Sequence, residues 1–279
     1  MKSTYKLKLM ASALLATSMA AAPAFAKVDQ AQADKLGGSE LTPSGAEVAA
    51  NADGSIPKWE GGMTDNPSCY NGGEFLCNPF PDDKPLFTIT AQNLDQYKSK
   101  LSPGQIAMFE KYPDTYRMPV YQTRRVYTIP DRIKELTKKN AVSTETAGAT
   151  GLTGLNLQGY PFPIPQNGLE AIWNHIGRWR GDALERTIGQ VTPQANGNYS
   201  MVMFNDQLSV TNQLTDYVPG EDDNVMFYFK QQVTAPARLA GNVLLVHETI
   251  DQVKEPRRAW IYNAGQRRVR RAPQVAYDG

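Results

Sequence analysis

From Ala183 onward the chain offers six extended segments in series, and the connections between them are mostly short turns. The segments are Ala183 to Thr192, Asn198 to Thr211, Asn224 to Thr234, Asn242 to Gln252, Arg258 to Tyr262 and Gln266 to Arg271. Asn196-Gly197 supplies the strongest hairpin signal, because both residues tolerate the positive φ that a two-residue strand reversal demands. Pro219-Gly220, Pro236 and Lys254-Glu255-Pro256 mark further turns. Parallel pairing needs a crossover of a dozen or more residues. The segments are therefore expected to pair with their sequence neighbours as an antiparallel meander.

The last hairpin, within RRAWIYNAGQRRVRRAP, joins the clearest alternation to the densest positive charge. Arg258, Trp260 and Tyr262 share one side, and Ala259 and Ile261 share the other. Asn263-Ala264-Gly265-Gln266 supplies the turn, with Gly265 available for a positive φ. Arg267, Arg268, Arg270 and Arg271 then surround Val269 on the returning strand.

A sheet with one wet face alternates apolar with polar residues, and these strands do not. Val225, Phe227 and Phe229 oppose Met226 and Tyr228; Val243 and Leu245 oppose Leu244 and Val246; Met201 and Met203 oppose Val202 and Phe204. One face is expected to pack on helices or the N-terminal segment. The other is either covered as well, which is the simpler reading, or lines an apolar cavity. Phe227, Phe229, Leu244, Val246, Trp260 and Tyr262 are the cavity candidates, with the inward face left open.

Residues 27–85, rich in Gly, Pro, Asn, Asp and Ser, read as an extended arm, and residues 86–279 as the main domain, with helices over about 93–179 and strands over about 183–271. Leu86 to Thr90 is a short strand, Asn93 to Leu101 a helical region. Ser102-Pro103-Gly104-Gln105 combines an N-cap, a proline at the first helical position and a capping-box Gln, predicting a helix that ends near Lys111. Met118 to Ile129 is extended, and Pro130 to Lys139 a short basic helix. Pro161, Pro163 and Pro165 hold their segment extended. Asn167 with Glu170 then caps a helix reaching about Trp179, with Ile172, Trp173 and Ile176 as inward candidates. His175 on that helix reads as a core or interfacial histidine, since the sequence places no acid or nucleophile to work with it.

Lys2, Lys6 and Lys8 precede an apolar run from Leu9 to Ala22 and then Ala24-Phe25-Ala26, the pattern of a signal peptide cleaved after Ala26. The expected compartment is the periplasm, with contact at the outer membrane. Cleavage removes three lysines and no acid, leaving 26 basic against 28 acidic residues, a formal charge of −2. The basic hairpin is thus a local asymmetry that suits an anionic membrane surface or an acidic partner; edge protection is the competing reading. Nothing signals nucleic-acid binding.

Cys69 and Cys77 lie in a turn-rich loop of a chain marked for export, and a local disulfide is expected. Their spacing is not Cys-x-x-Cys, and neither histidine, His175 or His247, sits at ligand spacing, so no metal or cofactor is expected. Gly148, Gly151 and Gly154 lack the Gly-Lys-Ser/Thr ending of a phosphate loop and read as an irregular loop or strand. No Gly-x-Ser-x-Gly elbow exists. His247 and Glu248 are adjacent on a strand and point to opposite faces.

PFPIPQNGLEAIWNHIGRWRG, RRAWIYNAGQRRVRRAPQVAYDG, LTPSGAEVAANADGSIPKWEGG, NPFPDDKPLFTIT and LSPGQIAMFEKYPDTYRMPVY resemble a family of exported bacterial proteins of unknown function, related to the outer-membrane lipoprotein-sorting proteins LolA and LolB. The resemblance implies an α+β, mainly β fold: a curved antiparallel sheet, an incomplete half-barrel lidded by helices, with an extended N-terminal arm. It implies further strands beyond Gly279, so the chain is expected to be C-terminally incomplete. It also implies a non-enzymatic carrier or chaperone of lipid-like or other hydrophobic cargo, cooperating with an RND-type inner-membrane exporter and an outer-membrane barrel protein. The alternative expectation is an adaptor that docks envelope partners through its basic hairpin.

Overall fold

The computed structural model describes residues 28–73, 76–214, 216, 218 and 223–272. The expected signal peptide and the Pro219-Gly220 turn lie outside the described residues. In chain order the elements are α1 (Gln30–Ala33), β1 (Phe87–Ile89), α2 (Pro103–Lys111), β2 (Met118–Val120), α3 (Asp131–Ser143), β3 (Glu145–Thr146), β4 (Leu152–Thr153), α4 (Gly168–Gly177), β5 (Ala183–Pro193), β6 (Tyr199–Val210), β7 (Val225–Ala235), β8 (Val243–Thr249), β9 (Arg258–Asn263) and β10 (Arg268–Arg271). Gly37–Pro130 forms one compact unit, and the chain before and after it forms the other.

In the unit Gly37–Pro130, β1 pairs antiparallel with β2 beside a core of Ile89, Leu94 and Phe109. The capping box forms as its sequence predicts: Gln105 N donates to Ser102 Oγ, and Ser102 N donates to Gln105 Oε1 at 2.9 Å. Asn93 to Leu101 departs from expectation, as two 3₁₀ turns, Leu94–Gln96 and Lys98–Lys100, replace a helix. Asn93 accounts for this, because its side chain accepts from Thr90 N at 2.7 Å and donates to the Thr88 carbonyl at 3.0 Å instead of capping a helix. Cys69 and Cys77 form a disulfide, with Cα atoms 6.0 Å apart.

The boundary expected at residue 85 falls inside this unit. The early Gly/Pro-rich stretch is held to the extended run after β2 by Arg125, whose guanidinium donates to the carbonyls of Glu47, Val48, Ala49 and Pro57 at 2.5–3.3 Å. Trp59 Nε1 donates to the Tyr127 carbonyl at 3.2 Å. Gly62, at φ +78, admits the same run closely, since a Cβ there would lie 2.7 Å from the Tyr127 oxygen. Arg125→Ala leaves four carbonyls without their shared donor and should cost about 2–4 kcal/mol. Arg125→Lys should recover only part of that, because an ammonium cannot span the same fork. Thermal melts of both variants, with limited proteolysis between residues 47 and 57, check this.

In the other unit the six strands form one antiparallel sheet in the order β10-β9-β8-β7-β6-β5, the meander that the short turns predict. The sheet is curved and not closed into a barrel, and the protein is mainly β. Two register shifts lie along β7, one at Val225/Phe227 and one against Met203/Phe204 of β6. Such extra residues bend a strand and increase its twist. The first shift corrects an expectation. Val225 pairs with Thr249 and Phe227 with Glu248, so Met226 is the extra residue, and Val225 does not share a face with Phe227. The β9–β10 turn differs too: Asn263 Oδ1 accepts from Gln266 N at 2.9 Å, and Arg267, not Gly265, takes the positive φ of 53°.

Helix α3 runs one turn beyond the expected Lys139 and carries a polar stripe, Thr137, Asn140 and Ser143. Asn140 Oδ1 accepts from Asn156 N at 2.7 Å, and its amide donates to the Asn156 carbonyl at 3.0 Å. Thr137 Oγ1 accepts from Tyr160 N, and Ser143 Oγ donates to the Gly154 carbonyl. Residues 154–160 therefore lie along α3, which explains the glycines there. Helix α1, closed by its own capping box at Asp29, packs Ala33 against Ala141 of α3.

Candidate functional site

Strand register decides which side chains share a face, since paired residues project to the same side. Leu184, Leu208, Phe229, Val246 and Ala259 form one row across β5 to β9. Flanking this row, toward the β5–β6 turn, lie Arg186, Asp206, Gln231, Leu244 and Ile261. On its other side lie Val210, Phe227 and Glu248.

Helix α4 lies over that last row. Trp173, 3% exposed, packs with Leu152, Phe162, Met226 and Ile250, and Ile176 and Phe227 join the cluster. Asn167 caps the helix by accepting from Glu170 N at 3.0 Å, and Asn174 ties it to Phe162 by accepting from Phe162 N at 2.8 Å. Ile172, expected inward, is 58% exposed; the buried stripe runs Trp173–Ile176, a step of three. His175, expected in a core or interface, is exposed, with Arg178 Nη1 3.1 Å from its Nδ1.

The lid stops there. Leu184, Leu208 and Phe229 remain half-exposed, while Val246 and Ala259 in the same row are buried. Asp206, 1% exposed, and Glu248 are the buried carboxylates on this face. Asp206 is neutralised by Arg186, whose Nε lies 3.1 Å away, and accepts from Gln231 Nε2 at 3.0 Å. At the covered end Glu248 pairs with Arg257 at 2.6 Å and accepts from Gln252 Nε2.

The opposite face is also half-buried and carries an aromatic ladder. Tyr228, His247 and Trp260 stand edge to face with ring centres 4.6 and 4.7 Å apart. An open depression of about 480 Å³ lies beside the ladder, lined by Ser209, Tyr228, Lys230 and Leu245 among others. A further cavity in this unit, about 330 Å³, lies among Val28, Ala141, Phe162 and Ile164. Of its two carboxylates, Glu145 and Glu170, the second accepts from Gln166 N and the Asn167 amide. Gly37–Pro130 has its own cavity of about 290 Å³ around Trp59 and Tyr127.

The six cavity candidates thus divide. Phe227, Phe229, Leu244 and Val246 share the lidded face, with Phe229 directly opposite Val246, whereas Trp260 and Tyr262 point to the other face. The arginines divide as well: Arg268 and Arg270 project with Ile261, Arg271 projects with Trp260, and Arg267 sits in the turn. His247 and Glu248 face opposite sides, paired with Tyr228 and Phe227 respectively. Among the described residues no group of three or more His, Cys, Asp or Glu side chains is placed to hold a metal ion, and no helix is long and apolar enough to cross a membrane.

Sequence reasoning missed Leu184 and Leu208, which complete the half-exposed row, and the link Gly177-Arg178-Trp179-Arg180-Gly181 after the lid. The alternation of Leu184, Arg186 and Ile188 in β5 was the available signal for the first. A basic-aromatic pair between glycines was the signal for the second.

Below the lid Arg132, Gln158 and Asp182 join α3 to the start of β5. Arg132 donates to Gln158 and to Asp182, and Gln158 Nε2 donates to Asp182 at 2.8 Å. Burial pushes the Asp182 carboxyl up, but the hydrogen bonds from Gln158 and Arg132 outweigh it and hold the pKa below its ordinary value. A depressed folded-state pKa contributes stability that is complete above the unfolded value of about 3.9 and is lost as pH falls through the lowered one. Urea midpoints measured from pH 7 to pH 2 should show this loss below about pH 4, and Asp182→Asn should flatten that limb.

Comparison with known proteins places these features in a lineage. A family model described as "Protein of unknown function (DUF1329)" matches residues 88–279. A Pseudomonas aeruginosa protein described as "Uncharacterized protein PA3922" is 57% identical over 272 residues, covering 97% of this chain. The chain spans 59% of that relative's length. No solved structure matches. With the matched region running from β1 to the end of the sheet, and with that degree of identity, the chain belongs to the DUF1329 family.

Proposed function

We propose that the protein is a periplasmic, non-enzymatic carrier or chaperone of lipid-like or other hydrophobic cargo, exported by a signal peptide cleaved after Ala26. In this reading it passes cargo between an RND-type inner-membrane exporter and an outer-membrane protein, on the plan of the lipoprotein-sorting carriers LolA and LolB. The observation that carries it is the row Leu184, Leu208 and Phe229, half-exposed on a curved sheet beside Phe227, against which the lid helix packs. Apolar residues contiguous across strands and left open to water are what an acyl chain needs. Burying a dozen methylenes at about 0.8 kcal/mol each releases roughly 10 kcal/mol before the costs of association. Transfer of such cargo requires no nucleophile.

A fluorescent fatty acid titrated into the protein tests this reading. Leu208→Asn with Phe229→Asn, both at half-exposed positions, should weaken binding at least about tenfold while the fold survives. Binding indifferent to these changes counts against it. A second reading, an adaptor, draws on β10: Arg268, Arg270 and Arg271 are exposed on the edge strand of the sheet. An anionic membrane surface or an acidic partner suits that edge, and salt-sensitive binding lost on Arg268→Gln and Arg270→Gln would favour it.

A further inference from the structure

The link between lid helix α4 and strand β5 places two cations where the sheet face passes from covered to open. Arg178 Nη1 donates to the His175 carbonyl at 2.5 Å, and Arg180 Nη2 donates to the carbonyls of His175 and Ile176 at 3.4 and 3.3 Å. These acceptors belong to the last turn of α4, the partially negative end of the helix. Two cations share that end. The carboxylates nearby are already engaged, Asp182 with Arg132 and Asp206 with Arg186. Among the described residues no ion pair involves Arg178 or Arg180.

Partial burial, and then the like charges of Arg178 and Arg186, hold the Arg180 guanidinium below its ordinary pKa. An anion between these groups would relieve that repulsion. Beneath Arg178, Trp179 and Arg180 lies a cleft of about 30 Å³ floored by Leu208, Val210, Met226 and Phe227. It is too narrow to take a head group inside, so an anion would sit at its mouth, on the guanidinium groups. Leu208 belongs both to the floor of this cleft and to the open row. From β5 to β9 that row spans roughly 19 Å at the usual strand spacing.

We propose that Arg178 and Arg180 bind the phosphate or carboxylate head group of an anionic amphiphile whose chain lies along Leu184, Leu208 and Phe229. The inference rests on the apolar-face reading and adds the charge of the cargo and the end at which it is held. Forked donors beside an apolar floor select an anionic head over a neutral one of equal chain length.

Calorimetry below micellar concentrations, with dodecyl phosphate, dodecyl maltoside and inorganic phosphate as probes, tests it. The native protein should prefer dodecyl phosphate to dodecyl maltoside at least about tenfold. Arg178→Gln with Arg180→Gln keeps a donor for the helix carbonyls and should abolish the preference while dodecyl maltoside binds as before. Arg268→Gln with Arg270→Gln on β10 should leave the preference intact. A preference that survives in the Arg178/Arg180 variant, or is lost in the β10 variant, overturns the assignment. Equal binding of the two amphiphiles by the native protein overturns it while sparing the apolar face. Inorganic phosphate binding as tightly as dodecyl phosphate overturns it in favour of a free-anion site. If neither amphiphile binds, the apolar-face reading itself fails.

Discussion

Trp173→Ala is expected to destabilise the protein by about 3–5 kcal/mol and to release the lid helix from the sheet. Trp173 is the largest side chain in the cluster that joins Leu152, Phe162, Met226 and Ile250, and its removal leaves a void that these neighbours cannot close without moving α4. Its indole Nε1 is buried and has no hydrogen-bond partner among the described residues. A buried donor left unsatisfied costs about 1–3 kcal/mol. Trp173→Phe, which keeps most of the packing and discards that donor, should therefore cost far less than the alanine variant. Denaturant midpoints of the two variants separate them. In the carrier reading the alanine variant also exposes Phe227, so a fluorescent fatty acid should bind it more weakly or less selectively, whereas the phenylalanine variant should bind as the native protein does.

The second large effect is expected at Gly154. This residue lies at φ +66, a region that disfavours any side chain, and a Cβ there would stand 2.2 Å from the carbonyl oxygen of Ser143 and 3.0 Å from its carbon. Neither atom is the end of a flexible side chain; both belong to the last turn of α3. Gly154→Ala must therefore shift the backbone, breaking the Ser143 Oγ bond to the Gly154 carbonyl and disturbing the Asn140–Asn156 pairing beside it. A cost of about 3 kcal/mol or more follows. For a chain of this size that lowers the melting temperature by roughly 6–12 °C. The loop that would move leads directly into Phe162, to which Asn174 of the lid is hydrogen-bonded. Gly148→Ala is the matched control: its φ is +65, but nothing lies within 4 Å of the added carbon, so only the conformational strain remains, about 1 kcal/mol.

What the sequence made legible follows from what is local. The six strands and their order were readable because apolar runs and turn residues act within about ten positions, and the Ser102–Gln105 capping box because it spans four. Face membership across strands was not readable. Alternation shows that Trp260 and Tyr262 share a side, but only the pairing of Leu245 with Trp260 puts that side opposite Phe229. A single extra residue at Met226 was enough to separate Val225 from Phe227, because the side-chain period is two.

Side chains that bond to the backbone caused most of the remaining differences. Asn93 fastens β1 and so ends a helix before it starts, and Asn263 builds a turn that moves the positive φ from Gly265 to Arg267. Gly148, Gly151 and Gly154 looked like a weak phosphate-loop pattern. Gly154 is required instead by the close passage of its loop along α3, a long-range cause that spacing alone does not reveal. At the site the most visible charge, on β10, drew attention from Arg178 and Arg180. Their position acquires meaning only once Leu208 and Phe227 are seen beneath them.

The most direct test of the carrier reading is native mass spectrometry, followed by organic extraction, on protein isolated from a bacterial periplasm without denaturation. The account predicts an added mass that extracts as an amphiphile and is missing from the Leu208→Asn, Phe229→Asn variant. A folded protein that carries no added mass and also fails to take up a fluorescent fatty acid would contradict it.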